Sequence, residues 1–215
     1  MLSTHVRSVY GVKVLKNRHA TLKKLKREDR VPTLHGHQVW QSSYMIMDYL
    51  QEHPLPPGQR IMDIGCGWGL IGIYCAKHFA GRALLVDADS RVFPYVSSHE
   101  QLNNVSVETA HASFDQLGDD DFRRQDIVLG ADICFWPELL TQLKLLVTTA
   151  LRAGVKQIIF ADPGRPTFMQ LADYCKRNFS CILCPRELGG RTRSKGYLLV
   201  IDNSLHRPRI EGVNT

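Results

Sequence analysis

Ten consecutive residues, Asp63-Ile64-Gly65-Cys66-Gly67-Trp68-Gly69-Leu70-Ile71-Gly72, limit what this chain can fold into more than any other stretch. They grow out of the apolar run Arg60–Ile64, which reads as a short buried strand, and they open an apolar helix over residues 70–78. Glycines at alternate positions between a strand and a helix permit a tight turn and let a ligand approach the backbone closely. A second strand, over residues 83–86, ends in Asp87, 22 residues after Gly65. A carboxylate there is placed to accept hydrogen bonds from ribose hydroxyls.

Asp63 decides between the cofactors that use such a turn. A dinucleotide needs Gly-x-Gly-x-x-Gly facing a helix N-terminus, with no carboxylate in front of its pyrophosphate. Asp63 lies two residues before the first glycine. It would repel a phosphate, but it suits the ammonium of a methionine moiety. That one charge moves the reading from NAD to S-adenosylmethionine.

The alternation continues downstream. A helix is expected over residues 91–103, strands over 105–109, 126–129 and 157–160, and helices over 138–150 and 167–178. Two further strands, 180–184 and 197–201, are joined by the polar, glycine-bearing segment PRELGGRTRSKG, as an antiparallel hairpin would be. Five strand–helix units and a terminal hairpin describe a three-layer α/β domain with a mostly parallel sheet. Upstream, a helix is expected over Ser42–Glu52, and PLPPGQR is the turn by which the chain enters its main fold. From about Asn17 a weakly apolar helical face, Leu22 and Leu25, is surrounded by lysines and stops at Val31-Pro32.

Charge is unevenly spread. The chain has 215 residues, 44% of them hydrophobic, enough for one ordinary domain with a sizeable core. Its formal charge of +6 suggests nucleic acid at first. Residues 1–30, however, hold nine basic and two acidic side chains, whereas residues 31–215 hold 18 basic and 19 acidic. The basicity is therefore a local attachment. The division expected is a basic, partly helical extension over 1–34, a catalytic domain over 35–203 and a tail over 204–215. No apolar run is long enough to span a membrane, and no apolar signal-peptide core opens the chain. The six cysteines read as small buried thiols of a reducing compartment, so cytoplasmic location is the default. Cys181 and Cys184 make a lone CxxC in an apolar strand, without the second pair a structural zinc needs, and no metal is expected.

With these motifs in place, the sequence resembles a class I, seven-strand S-adenosylmethionine-dependent methyltransferase. More narrowly, it is similar to the group containing small protein-lysine methyltransferases and predicted nicotinamide N-methyltransferases. Three segments carry the narrower likeness: Val39-Trp40; Asp126 through Phe135, ending in Ala131-Asp132-Ile133-Cys134-Phe135; and Ala161-Asp162-Pro163-Gly164-Arg165-Pro166. The last resembles the electron-transfer-flavoprotein lysine methyltransferase branch. The likeness covers about residues 35–202. It implies a Rossmann-like seven-stranded sheet with an antiparallel last strand. It also implies that Asp63 and the turn Gly65, Cys66, Gly67 and Gly69 surround the methionine and ribose, that Asp87 holds the ribose hydroxyls, and that Trp40 and Ala131 line the cofactor pocket. Asp132 and Phe135 then match the group's Asp-x-x-Tyr/Phe motif bordering the methyl-transfer centre. After the third strand the chain departs from the pattern: in place of an acid by the adenine it has Ala110-His111-Ala112-Ser113, leaving His111, Ser113 and Asp115 as candidates.

The chemistry is consistent with these residue types. Methyl transfer from a sulfonium needs an in-line approach and a neutral lone pair on the acceptor. Asp132 either orients an amine and offsets its developing charge, or caps a helix. Phe135 and Trp136 form either an apolar, cation–π wall or ordinary packing. Arg165 either positions an acidic substrate group or braces its loop; His35 and His37 are either substrate-side groups or part of a polar loop.

A lysine amine of a protein, with an acidic protein among the options, is the first expectation for the acceptor, and a small nicotinamide-like amine the second. RNA comes third, because the segment after the fourth strand lacks an Asn/Asp-Pro-Pro-Tyr motif. A methyltransferase-like scaffold that has lost catalysis is the reading from outside enzymology.

Overall fold

The computed structural model describes residues 5–28, 31–33, 36 and 38–203. His35, His37 and the tail from 204 onward lie outside the described residues, as does the Arg191 side chain. The chain begins with a hairpin, β1 (Val6–Val9) and β2 (Val12–Leu15), followed by α1 (Ala20–Arg27) and α2 (Ser42–Glu52). Then come β3 (Arg60–Ile64), α3 (Leu70–Phe79), β4 (Arg82–Asp87), α4 (Phe93–Asn103), β5 (Glu108–His111) and the short α5 (Asp119–Phe122). The second half runs β6 (Ile127–Ala131), α6 (Leu139–Arg152), β7 (Gln157–Asp162), α7 (Pro166–Asn178), β8 (Cys181–Leu188) and β9 (Ser194–Asp202).

Seven strands form one sheet in the order β5-β4-β3-β6-β7-β9-β8. Pairings from β5 through β7 are parallel, and β9 runs antiparallel to both β7 and β8. The fold is α/β, Rossmann-like, with the reversed last strand inserted beside β7. Side-chain alternation along the strands separates two cores. Ile61, Ile127, Leu129, Ile159, Ala161, Leu198 and Val200 pack with Met45, Ile46, Leu50 of α2 and Ile73, Tyr74 of α3. Met62, Ile64, Val128, Ile158, Phe160, Leu199 and Ile201 pack with α6 and α7 through Leu143, Val147, Phe168 and Leu171. Both faces are covered, which explains why these strands read as near-continuous apolar runs. The chain leaves β3 toward β4 and β5, then returns to β6 on the other side. A ligand crevice belongs at this switch point, beyond the strands' carboxyl ends.

Several elements differ from the sequence expectation. Val105 and Val107 pack inward before the third parallel strand starts, and β5 occupies 108–111 rather than 105–109. Residue Asn104, with φ of 54°, ends α4, and the Val105 N–H closes onto the Glu100 carbonyl, so the chain is still leaving the helix there. Strand β8 continues through Pro185 to Leu188; it lies at the sheet edge, where a missing N–H costs no ladder bond. The polar segment expected to be loop is therefore largely hairpin strand. Within it, Arg186 is tied to Asp48 and Glu52 of α2.

The largest difference is at the N-terminus. The read of residues 1–34 as a partly helical extension omitted the β1–β2 hairpin. Its turn, Tyr10-Gly11, has positive φ at both residues, as a type I′ turn requires, but the Tyr-Gly pair carries none of the usual Asn-Gly signal. The hairpin is fastened to α4. Asn103 Oδ1 accepts the Lys13 N–H at 2.7 Å and its Nδ2 donates to the Lys13 carbonyl at 2.8 Å, imitating a third strand. His99 Nε2 accepts the Leu15 N–H, while its Nδ1 donates to the Tyr95 carbonyl. Leu22 and Leu25 of α1 are buried against Trp68 and Tyr95, as their spacing predicts.

Candidate active site

Glycine is required at the turn after β3 for conformation and for space. Gly65 has φ of 62°, and a Cβ on it would come within 2.8 Å of Ile133 Cγ2. Gly69, with φ of 74°, starts α3, and its Cβ would meet Leu85 Cδ2 at 2.4 Å. Above this turn a cavity of about 190 Å³ opens at the ends of β3, β4 and β6. Its walls are Gly65 and Gly67; Asp87 and Ala88; Ser113 and Phe114; Ala131, Asp132 and Ile133; and, toward solvent, Gly36, Trp40, Phe135, Trp136, Leu139 and Gln142.

Asp87 is the polar anchor of this cavity. Its Oδ2 accepts the Gly67 N–H at 2.9 Å and its Oδ1 accepts the Asp89 N–H at 2.9 Å, which holds the carboxylate in one orientation. Burial pushes its pKa above the usual carboxylate value, against the pull of those two N–H groups.

Four residues expected at the cofactor do not line the cavity. Asp63 shares the pleat face of Ile61 and points to α3, where its Oδ2 accepts the Gly72 N–H at 3.0 Å, one of the donors a helix start leaves unpaired. Burial pushes its pKa up to about 8. Gly69 lies beneath the turn, packed on Leu85 and Val96. Cys66 packs beside Ala83, Leu85 and Val96, and burial raises its thiol well above the ordinary value. His111 is exposed, with Nε2 3.0 Å from the Ala88 carbonyl, so it fastens the ends of β4 and β5. Of the three candidates after β5, Ser113 is the one in the wall, and its hydroxyl donates to Asp115 at 2.5 Å. Phe114 beside it was missed, since one aromatic after a strand carries no distinguishing pattern.

The outer end of the cavity is organised around Asp132. This residue has φ of 57°, a conformation few side chains tolerate, and its N–H is held by the Ala161 carbonyl of β7 at 2.9 Å. Its carboxylate is 5% exposed. Oδ2 accepts the Ser42 N–H at the start of α2, and Oδ1 accepts Arg165 Nη1 at 2.9 Å. This acid caps a helix, and it also lines the cavity. The same Nη1 donates to Asp162 Oδ2 at 2.6 Å. Asp162 is fully buried, and burial raises its pKa. Arg165 loses solvation, yet its two carboxylates more than offset this and raise its pKa. The guanidinium also lies over Phe135, 4.1 Å from the ring centroid. Phe135 in turn meets Trp40 edge-on at 5.2 Å.

A second cavity, of about 340 Å³, lies on the other side of Trp40 and Asp132. These two residues wall both spaces. The rest of its lining comes from residues 38–45 around the start of α2, Pro163 and Arg165 after β7, and Ser194 and Lys195 of β9. No sequence signal announced this space, because its walls come from four separated segments.

The residues around the first cavity fit S-adenosylmethionine. A glycine cradle that a Cβ would fill faces a fixed carboxylate suited to ribose hydroxyls, and the remaining wall is apolar enough for a purine. The sequence model of a family described as "Lysine methyltransferase" matches residues 19–167. The chain belongs to the lysine methyltransferase family. Its described residues carry the fold of an S-adenosylmethionine-dependent methyltransferase domain.

Relatives of this methyltransferase are distant and varied. Over 56 residues, a quarter of the chain, it is 39% identical to a "Histidine protein methyltransferase 1 homolog" of Dictyostelium discoideum, matching 18% of that protein. Over 141 residues, 66% of the chain, it is 25% identical to a "Ribosomal protein L11 methyltransferase" of Dictyoglomus thermophilum, matching 44% of that protein. The chain thus spans less than half the length of these curated relatives. In fold it is similar to the Pyrococcus abyssi tRNA (uracil-54, C5)-methyltransferase, solved with S-adenosyl-L-homocysteine. That likeness has a TM-score of 0.57 at 16% identity, over 94% of this chain and 44% of the other. Among the described residues no helix is long and apolar enough to cross a membrane.

Proposed function

We propose that this methyltransferase acts on a lysine side-chain amine of a protein. One observation carries the reading: at the Asp132 wall where the two cavities meet, Asp132 and the buried Asp162 share a single guanidinium that lies over Phe135, whose ring meets Trp40 edge-on. Two carboxylates on one arginine leave an excess of negative charge, and aromatic faces attract cations. Both suit an alkyl ammonium arriving through the second cavity.

When bound, S-adenosylmethionine supplies an electrophilic methyl group. Asp87 and the backbone at Gly65 and Gly67 hold its ribose side. The acceptor must lose a proton before its lone pair can attack, and in this reading it sheds that proton to water through the wider cavity. Asp132, fixed by Ser42 and Arg165, orients the amine and offsets the positive charge that develops on nitrogen as it alkylates. Trp40 and Phe135 confine the amine to an in-line approach and exclude competing water. The catalytic residues are accordingly Asp132 and Phe135, and Arg165 is a positioning residue.

Incubating the protein with methyl-labelled S-adenosylmethionine in fractionated lysate tests this directly. Label recovered as methyl-lysine after acid hydrolysis of a protein fraction supports the reading. Label only in small amines, in RNA or on histidine overturns it, and failure to bind S-adenosylmethionine overturns catalysis itself.

A further inference from the structure

We propose that the second cavity is a specificity subsite for a carboxylate next to the acceptor lysine, so that the enzyme selects lysines flanked by Glu or Asp. The inference rests on the lysine reading and adds a sequence preference to it.

The cavity is electrically polarised. Its inner wall is Asp132, backed by Arg165 and the buried Asp162. Its lining also includes Lys195, 79% exposed, which among the described residues pairs with Glu187 across the hairpin, 3.3 Å away and itself exposed. Such an exposed pair is weakly held, so the ammonium is available to a better-placed carboxylate. A lysine beside an acidic residue presents the complementary dipole: ammonium toward Asp132, carboxylate toward Lys195.

Two further features favour an occupant with acceptor atoms. Ser194, 6% exposed and in the wall beside Lys195, has a hydroxyl with no hydrogen-bond partner among the described residues. An orphaned buried hydroxyl is costly unless something satisfies it, and a substrate group or the water it orders would do so. Arg165 makes both of its carboxylate bonds through Nη1, so its remaining N–H groups are not committed to them. The amides of Gln38 and Gln41 add neutral donors. A phosphate would call for clustered guanidinium forks, whereas a single exposed ammonium matches a carboxylate.

The test uses the full chain, S-adenosylmethionine and synthetic peptides carrying one lysine with Glu, Gln or Lys at the two positions on either side. Glu-flanked peptides should show kcat/KM roughly tenfold above Gln-flanked ones, through KM, with the difference shrinking as salt rises. Lys195→Glu, a surface change outside the cofactor cavity, should invert the preference toward Lys-flanked peptides and leave cofactor affinity by calorimetry unchanged. Equal use of Glu- and Gln-flanked peptides by the native protein, or a Lys195→Glu protein that keeps the Glu preference, overturns the subsite. If no lysine peptide is methylated, the lysine reading fails. The cavity is then judged alone, by fluorescence anisotropy of labelled peptides with norleucine replacing lysine. Tighter binding of the Glu-flanked form, lost in Lys195→Glu, sustains the subsite, and equal binding rejects it.

Discussion

Arg165 Nη1 lies 2.9 Å from Asp132 Oδ1, joining the loop after β7 to the loop after β6 at the wall shared by the two cavities. The pair turns a capping acid into a part of the site. Because the same guanidinium holds Asp162 and stacks on Phe135, the position of Asp132 depends on residues from both loops.

Asp132→Asn should separate charge from shape. Asn tolerates the left-handed backbone at this position and can still accept the Ser42 N–H. The expected result is an S-adenosylmethionine affinity within about threefold of native and a kcat lower by about 100-fold, in line with loss of one preorganised electrostatic group. Single-turnover kinetics check it; unchanged kcat would remove Asp132 from the chemistry.

His99 predicts an acid-sensitive N-terminus. Burial lowers its pKa from 6.5 to about 4, because Nε2 must stay unprotonated to accept the Leu15 N–H. As pH falls below 6.5 the unfolded chain takes up the proton first, so stability is full above 6.5 and declines until about 4. The loss approaches ~3 kcal/mol at 1.36 kcal/mol per pKa unit. Urea unfolding at pH 7.5 and 4.5 should show a drop that is much smaller in His99→Gln.

Asp63 has the opposite sign. Its folded pKa of about 8 exceeds its ordinary value of 3.8, chiefly through burial. The unfolded chain ionises first as pH rises, so this group's contribution is full below 3.8 and lost progressively toward 8. Asp63→Asn keeps an acceptor for the Gly72 N–H and cannot ionise. Its melting temperature relative to native should therefore climb between pH 5 and pH 8. A difference independent of pH would mean that Asp63 is already ionised in the fold.

Gly196 of β9 is the most tightly confined of the described glycines. A Cβ there would stand 2.3 Å from the Asp162 carbonyl oxygen and 2.9 Å from Pro163 Cα, both backbone atoms. Gly196→Ala must displace the β7 loop that carries Arg165. It should destabilise by about 1–3 kcal/mol, as overpacking does, and lower kcat more than cofactor affinity. Denaturant unfolding and calorimetry check the two parts; a native-like kcat would detach this loop from turnover.

What the sequence determined by itself was local. The glycine turn, the carboxylate ending β4 and the alternation of apolar runs are contiguous signals. They sufficed for the α/β sheet and its reversed strand, because backbone conformation and side-chain periodicity are set within a few residues; the acid that pointed to the cofactor, Asp63, turns away from the cavity. Asp87 was legible because it ends a strand that the pattern already located, whereas Asp132, just past β6, was marked by the family resemblance.

Only the tertiary structure decided which charges meet. Asp63, next to the glycines in sequence, turns to α3 because the pleat sends it to the same face as Ile61. The β1–β2 hairpin is an ordered part of the fold because Asn103 and His99, about 90 and 84 residues downstream, satisfy its open backbone edge. The second cavity exists because the start of α2, the loop after β7 and the hairpin of β9 converge on Asp132. Contacts between distant segments depend on strand order and register, and no local pattern encodes these.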